Sequence, residues 1–277
     1  MLAPAKINLT LEILGQRGDG YHEIRSIMQR IRLYDVISIR PSPGIGKFTC
    51  PGHPELENKD NLVLKALHLL EKELGRPLPL SITLKKRIPV GGGLGGGSSN
   101  AATILSAANQ FTGNQVPKKR LLALASQIGS DVPFFLVKKP ALAGGRGELL
   151  DPWPNFPKWW FVLIYPGFSV STSWAYNRVK IPLTKEKKLP NINQLKQRGV
   201  IPPFHRLEND LEEVVLPAFP ILKHIQKALR KEGCQRALMS GSGSVMFGIW
   251  ENGLRAREAF GRLKKQGWGQ VFLAQGF

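Results

Sequence analysis

The sequence predicts an α+β chain in two parts, and three observations carry that prediction. A strand that runs into a glycine-rich loop and then a helix occupies Leu80 to Phe111. The composition changes after Asp151, where Pro152, Pro154 and Pro157 sit among Trp153, Trp159 and Trp160. Beyond that junction come strand, turn, strand, helix and strand, the order of an α/β-plait. The expected division is residues 1–155 and 156–277.

From Lys6 to Ile13, Ile7, Leu9, Leu11 and Ile13 alternate with Asn8, Thr10 and Glu12, a period of two that predicts one half-buried strand. Gly15 to Gly20 reads as a turn, Val36 to Arg40 as a second strand, and the Pro- and Gly-rich stretch Pro41 to Pro54 as surface loop. Asp60 is placed to cap a helix to about Leu74, with Leu62, Ala66, Leu69 and Leu70 on one stripe and Gly75 as its stop. Leu80, Ile82 and Leu84 mark a strand, and after the glycine loop an alanine-rich helix spans about Ser99 to Phe111. A further helix starts at Pro117 and ends near Ile128. In the second part, Phe161 to Tyr165 reads as a buried strand and Lys180 to Pro203 as an exposed connection. Leu216 to Lys231 is helical with a break at Pro220. Strands at Arg236 to Ser240 and Val245 to Trp250, a helix at Asn252 to Gln266 and a strand at Gln270 to Ala274 close the chain.

Composition narrows the function classes. With 42% apolar and 21% charged residues in 277, the chain has a globular balance, and disorder throughout is excluded. The 39 Lys and Arg against 20 Asp and Glu leave +19, which suits a polyanionic partner, a phosphate-rich ligand or a well-solvated basic surface. Cys50 and Cys234 make no disulfide framework, and neither has a metal-ligand neighbour at useful spacing. Met1 to Leu14 lacks the apolar centre of a signal peptide, and the longest apolar run, Trp159 to Tyr165, falls far short of a membrane span. These readings imply a soluble, cytoplasmic protein.

The chemistry concentrates in Pro89, Val90, Gly91, Gly92, Gly93, Leu94, Gly95, Gly96, Gly97, Ser98 and Ser99, with six glycines in the seven positions 91–97. Glycines let the backbone turn its N–H groups onto a ligand, and the following helix adds its positive end. Ser98 and Ser99 add hydroxyls that can donate or reach a metal. The lysine of a P-loop is missing, and no acidic residue follows where a dinucleotide fold would need one. The loop therefore reads as a polyphosphate cradle, against the plainer reading of a tightly packed turn.

Four other features each have a functional and a plain reading. Lys6 and Asn8 point the same way from the first strand and could orient a hydroxyl, or could sit on a solvent-facing edge. Asp131, between Gly129-Ser130 and Val132-Pro133-Phe134-Phe135, could take a proton from an attacking hydroxyl, or could cap a helix. Met239-Ser240-Gly241-Ser242-Gly243-Ser244 could close over phosphates, or be an ordinary hairpin turn. Tyr21 and His22 offer a ring face and an imidazole to an aromatic base, or stand in solvent. The histidines at 53, 68, 205 and 224 share no ligand spacing.

Together, Pro4-Ala5-Lys6-Ile7-Asn8-Leu9, the Pro89 to Ala102 segment and Met239 to Gly243 resemble the three motifs of the GHMP kinase superfamily. The resemblance runs nearly the whole length. It implies a two-domain GHMP kinase fold, with a ribosomal-protein S5 domain 2-like N-terminal half and a ferredoxin-like α/β-plait C-terminal half, and an active site in the cleft between them. Gly18-Asp19-Gly20-Tyr21-His22 and Gly129 to Phe135 look like the branch acting on a cytidine-diphosphate-linked methylerythritol in non-mevalonate isoprenoid synthesis. Gly145-Arg146-Gly147-Glu148 and Tyr165-Pro166-Gly167 also fit.

By that resemblance, Lys6 and Asp131 form the catalytic pair, with Asp131 as base and Lys6 holding it ionised. Asn8 holds the methylerythritol part, Tyr21 and His22 bind cytosine, and Pro89 to Ser99 wrap ATP with Mg²⁺ on its phosphates. Val245 and Ser244 stand where many relatives have threonine and proline, and Met28 where some have tyrosine. A homoserine- or mevalonate-type kinase would keep the glycine loop and Asp131 but would not need Tyr21 and His22. An RNA-binding protein would suit the charge, but no RNP-type aromatic motif or KH-type GXXG pattern is present.

Overall fold

The computed structural model describes residues 1–179 and 192–277. Its strands and helices, in chain order, are β1 (Leu2–Asn8), β2 (Glu12–Gln16), β3 (His22–Pro41), β4 (Phe48–Thr49), α1 (Leu62–Leu74), β5 (Leu80–Lys85), α2 (Gly96–Phe111), α3 (Lys118–Ile128), α4 (Val132–Val137), β6 (Ala141–Gly144), β7 (Leu149–Pro152), β8 (Trp160–Tyr165), α5 (Thr172–Tyr176), α6 (Ile192–Gln197), α7 (Glu212–Ala218), α8 (Pro220–Lys231), β9 (Arg236–Met239), β10 (Met246–Trp250), α9 (Gly253–Lys264) and β11 (Gln270–Gln275). Contacts divide the chain into two compact units that interleave along the sequence. One comprises Met1–Ala5, Leu33–Val90 and Gly95–Lys138; the other comprises Lys6–Arg32, Gly91–Leu94 and Lys139–Phe277.

In the first unit the C-terminal half of β3 pairs antiparallel with β5, Val36 opposite Lys85 through Pro41 opposite Leu80, and β4 adds in parallel to β5. Helices α1, α2, α3 and α4 pack on one another. The small side chains of α2 make this possible, because Ala101, Ala102, Ala107 and Ala108 are buried and let neighbouring backbones approach. Val63, Ala66 and Leu70 of α1 fill the facing stripe. Each fully buried Leu or Ile contributes roughly 1.5–3 kcal/mol.

In the second unit the N-terminal half of β3 pairs with β2 and β6, and β6 continues to β7, all antiparallel. A separate four-stranded antiparallel sheet has the order β11-β8-β10-β9. Helix α8 covers β9 and β10, and α9 covers β8 and β11. Val162, Ile164, Met239, Met246 and Trp250 meet Leu222, Ile225, Leu229, Ala256, Ala259 and Leu263 in one core. This is the expected α/β-plait. Among the described residues, no helix is long and apolar enough to cross a membrane.

Several boundaries differ from expectation, each for a physical reason. The predicted strand over residues 6–13 is two strands, because the backbone changes partners: Leu9 N donates to Ile27 O, whereas Leu11 N donates to Glu208 O. The second strand, predicted over residues 36–40, is the last part of a 20-residue strand. Asn61, not Asp60, caps α1 by accepting from Val63 N at 2.9 Å, and Asp60 pairs with Lys65 instead. Helix α2 begins at Gly96, inside the glycine loop. The loop expected over residues 41–54 carries the short β4. Of the expected connection at 180–203, residues 180–191 lie outside the described residues. The helix break falls at Phe219, between α7 and α8.

Candidate active site

In the second unit, strand β1 buries two polar side chains side by side. Lys6 and Asn8 are only 4% and 3% exposed, which rules out the solvent-facing edge. A buried ammonium needs an acceptor, and Lys6 Nζ donates to Asn8 Oδ1 at 2.5 Å. Asn8 Nδ2 donates to Ser26 Oγ at 2.8 Å, and Ser26 Oγ donates to Thr10 O at 2.5 Å. The chain of bonds fixes the lysine from behind.

The glycine loop reaches the same place through its backbone. Lys6 N donates to Leu94 O at 2.9 Å, and Val245 N donates to Gly92 O at 3.2 Å. Ser240 Oγ donates to Gly93 O at 3.0 Å. Gly93 has φ +78°, and a Cβ there would stand 2.0 Å from Ser240 O, so only glycine fits this approach. A Cβ on Gly241 would lie 3.4 Å from Asn8 Oδ1. Residues of all three motifs thus converge: Lys6 and Asn8, Gly92 to Leu94, and Ser240 to Val245. The third loop is more than a hairpin turn, because Asn209 Nδ2 donates to both Met239 O (2.9 Å) and Gly241 O (2.7 Å). Val245 meets this network through its backbone N–H.

A second cluster in that unit surrounds Tyr21 and His22. Asp19 Oδ1 accepts from Tyr21 N at 3.1 Å, and Arg17 bridges Asp19 to Glu23. Glu23 Oε1 accepts from Gly145 N at 2.9 Å, which brings Arg146 over the Tyr21 ring, 4.6 Å from its centroid. Tyr21 is 53% exposed, so its ring is available to a ligand. His22 opens β3, and its ring stands 5.3 Å from that of Tyr176 at a 37° tilt. Tyr176 was not foreseen: it sits on the five-residue α5, too short to leave a periodic signal. Met28 is buried opposite Ala141 in the β3–β6 pairing and serves the core.

In the first unit, Gly95 caps α2, whose first residues are Gly96, Gly97, Ser98 and Ser99. Ser99 is fully buried, and its Oγ has no hydrogen-bond partner among the described residues. Asp131 precedes α4 and does not cap it; Val132 N donates instead to Gly129 O at 3.1 Å. The capping explanation for Asp131 therefore fails. Among the described residues, no group of three or more His, Cys, Asp or Glu could hold a metal ion.

Comparison with known proteins follows the same pattern. The family GHMP kinases N terminal domain matches residues 61–139, and GHMP kinases C terminal matches residues 192–267. A 4-diphosphocytidyl-2-C-methyl-D-erythritol kinase of Geobacter sp. (strain M21) is 40% identical over 275 residues, covering 97% of this chain and 95% of its own. The protein of the same name from Syntrophus aciditrophicus is 41% identical, covering 98% and 97%. A crystal structure of 4-(cytidine 5'-diphospho)-2C-methyl-D-erythritol kinase superimposes with TM-score 0.82 at 35% identity over 100% of this chain and 98% of that one. Homoserine kinase from Cytophaga hutchinsonii, at 19% identity and TM-score 0.77 over 99% and 93%, shares the fold.

Proposed function

The chain belongs to the GHMP kinases, and from that premise we propose that it transfers the γ-phosphoryl group of ATP to the 2-hydroxyl of 4-diphosphocytidyl-2-C-methyl-D-erythritol. The products are the 2-phosphate and ADP. The observation that supports this reading best is the convergence of Lys6 and Asn8, Gly92 to Leu94 and Ser240 to Val245 by direct hydrogen bonds and close approach. The clustering of Tyr21, Arg146, His22 and Tyr176 favours an aromatic-base substrate over a small alcohol.

Phosphoryl transfer needs positioning and charge stabilisation more than covalent help from the protein. Pro89 to Ser99 would wrap the triphosphate, with backbone N–H groups and the positive end of α2 facing its oxygens. Asp131 would accept the proton of the attacking hydroxyl. Lys6 would offset the charge that develops on the transferred group, its ammonium held in place by Asn8. Asn8 gives one Nδ2–H to Ser26 and one Oδ1 lone pair to Lys6, so its second N–H and second lone pair remain for a substrate hydroxyl. Tyr21 and Tyr176 would present ring faces to cytosine, and His22 a hydrogen bond.

Mg²⁺ fits this site as a passenger on the nucleotide. The orphaned, buried Ser99 Oγ can serve as one hard oxygen ligand, and no carboxylate cage exists among the described residues. When bound, Mg²⁺ supplies charge neutralisation at the β- and γ-oxygens. The same reading carries a functional division near residue 155 and a cytoplasmic location. The test is ADP release by the purified protein with Mg-ATP, comparing the cytidine compound with homoserine and mevalonate. Release with the cytidine compound alone is expected. Release with another alcohol would overturn the role of Tyr21 and His22.

A further inference from the structure

We propose that Asp35 is a positioning residue for the phosphate-binding loop, a single buried carboxylate that holds the two ends of that loop at a fixed separation. The inference rests on the reading of Pro89 to Ser99 as the ATP loop.

Asp35 lies on β3 and is fully buried. Burying a carboxylate is costly, and a well-packed apolar residue can replace a buried ion pair without loss of stability. Its hydrogen-bond donors explain what the charge achieves instead. Arg87 N and Ile88 N donate to Oδ1 at 2.7 and 2.9 Å, where the chain leaves β5 and enters the loop. Asn100 Nδ2 donates to Oδ2 at 3.1 Å from α2, where the chain leaves the loop. Lys86 Nζ also donates to Oδ2. Pro89 to Ser99 is the segment between those anchor points, and one side chain thus grips both its entry and its exit.

The first turn of α2 rests directly on this pair. A Cβ on Gly96 would stand 3.1 Å from both Lys86 Nζ and Ile88 Cγ2, so glycine lets the helix start settle against the clamp. Lys86 has an electrostatic task as well. An unpaired carboxylate beneath the helix start would repel the phosphates that the helix end attracts, and the buried ammonium cancels it. A loop held in its binding shape before the nucleotide arrives loses less freedom on binding.

The clamp and the charge can be separated by mutation. In Asp35→Asn/Lys86→Met the new amide oxygen still accepts from Arg87 N and Ile88 N. The Oδ1 of Asn100, which has no partner among the described residues, can accept from the new amide nitrogen once the Asn100 amide turns over. Asp35→Leu/Lys86→Met keeps an apolar filling but removes every tie. The Leu/Met variant is expected to raise KM for ATP about tenfold or more and leave KM for the cytidine substrate within about twofold, while the Asn/Met variant recovers most of the ATP affinity. An unchanged KM for ATP in folded Leu/Met protein overturns the proposal. So does a parallel rise in both KM values, which is what loss of general stability would give. If the Leu/Met protein does not fold, Asn100→Ala decides: it cuts only the exit tie, and an unchanged KM for ATP overturns the clamp. The parent chain separates the two readings. If it shows no saturable dependence on ATP, the kinase reading fails, whereas normal saturation beside an unaltered Leu/Met variant removes only the role of Asp35.

Discussion

An ammonium inside a protein must be met by an acceptor, and Lys6 meets its own two residues along the same strand, at Asn8 Oδ1. This is how a strand with period-two alternation can carry chemistry on its buried polar side. Asp131 likewise leaves the start of α4 to a backbone bond, so its side chain is not spent on capping. Asp131→Asn keeps the size and removes the proposed base. Turnover should fall by about 10²–10⁴-fold, with nucleotide affinity nearly intact by calorimetry; wild-type turnover would remove Asp131 from the base role. Tyr21 is about half exposed, and the Arg146 guanidinium lies over its ring. Stacking of one base on an aromatic ring is worth roughly 1–3 kcal/mol, so Tyr21→Ala should raise KM for the cytidine substrate about fivefold or more and leave that for ATP unchanged. Equal effects on both would count against stacking. Lys6, Asn8, Tyr21, His22 and Asp131 could be nominated from local sequence because each sits in a short, patterned stretch. Tyr176 and Asn209 could not, since their partners are more than 30 residues or half the chain away.

At the scale of elements, the glycine loop was the clearest sequence signal because strand, loop and helix are neighbours in the chain. Its tie to the third motif rests on Gly93, where φ is +78° and a Cβ would collide with a backbone oxygen. Gly93→Ala should therefore destabilise the protein by about 2 kcal/mol or more, since L-residues avoid this conformation and the carbonyl cannot yield. Gly97→Ala, where a Cβ meets only Leu62 Cδ1 at 3.5 Å, should cost no stability. Thermal denaturation of the two variants checks the contrast. The strand that leads into the third motif depends on Glu212, whose Oε1 accepts from Met239 N at 2.6 Å and Oε2 from Gln226 Nε2 at 3.1 Å. Burial holds the Glu212 carboxyl above its ordinary value near 4.5, so its proton binds more tightly in the folded chain than in the unfolded one. That contribution to stability is complete below pH 4.5 and fades as pH rises through the raised value. Relative to Glu212→Gln, the wild type should gain melting temperature when the pH is lowered from 7 to 5; a pH-independent gap between them would refute it. The long β3 was largely missed in the sequence for a related reason. Ser26, Gln29 and Asp35 are fully buried and interrupt its apolar pattern. Their partners, Thr10 O, Pro157 O and the Lys86 to Asn100 group, come from elsewhere in the chain.

For the molecule as a whole, the charge of +19 is the quantity that the individual contacts do not account for. Several cations are neutralised locally, as Arg17, Arg25, Lys86, Arg120 and Arg262 pair with carboxylates. The excess sits on surfaces such as α8, which exposes Lys223, Lys227, Arg230 and Lys231 and contains no acidic residue. Both proposed substrates are anions, a triphosphate and a nucleoside diphosphate ester, and a cationic field raises the rate at which anions arrive. Such a field acts over roughly 10 Å at 0.1 M salt and about 3 Å at 1 M, whereas hydrogen bonds inside the site are screened far less. Encounter and chemistry should therefore separate with salt. Raising potassium chloride from about 0.05 to 0.5 M should lower kcat/KM for the cytidine substrate several-fold or more, with kcat nearly constant. A viscosity series at low salt should show that the same step is limited by diffusion. If kcat/KM stays flat with salt, the field does not steer substrate, and the surplus charge serves only to keep the chain solvated. If kcat falls in step with kcat/KM, salt is reaching the bound state, and the phosphate loop itself is the place to look for its effect.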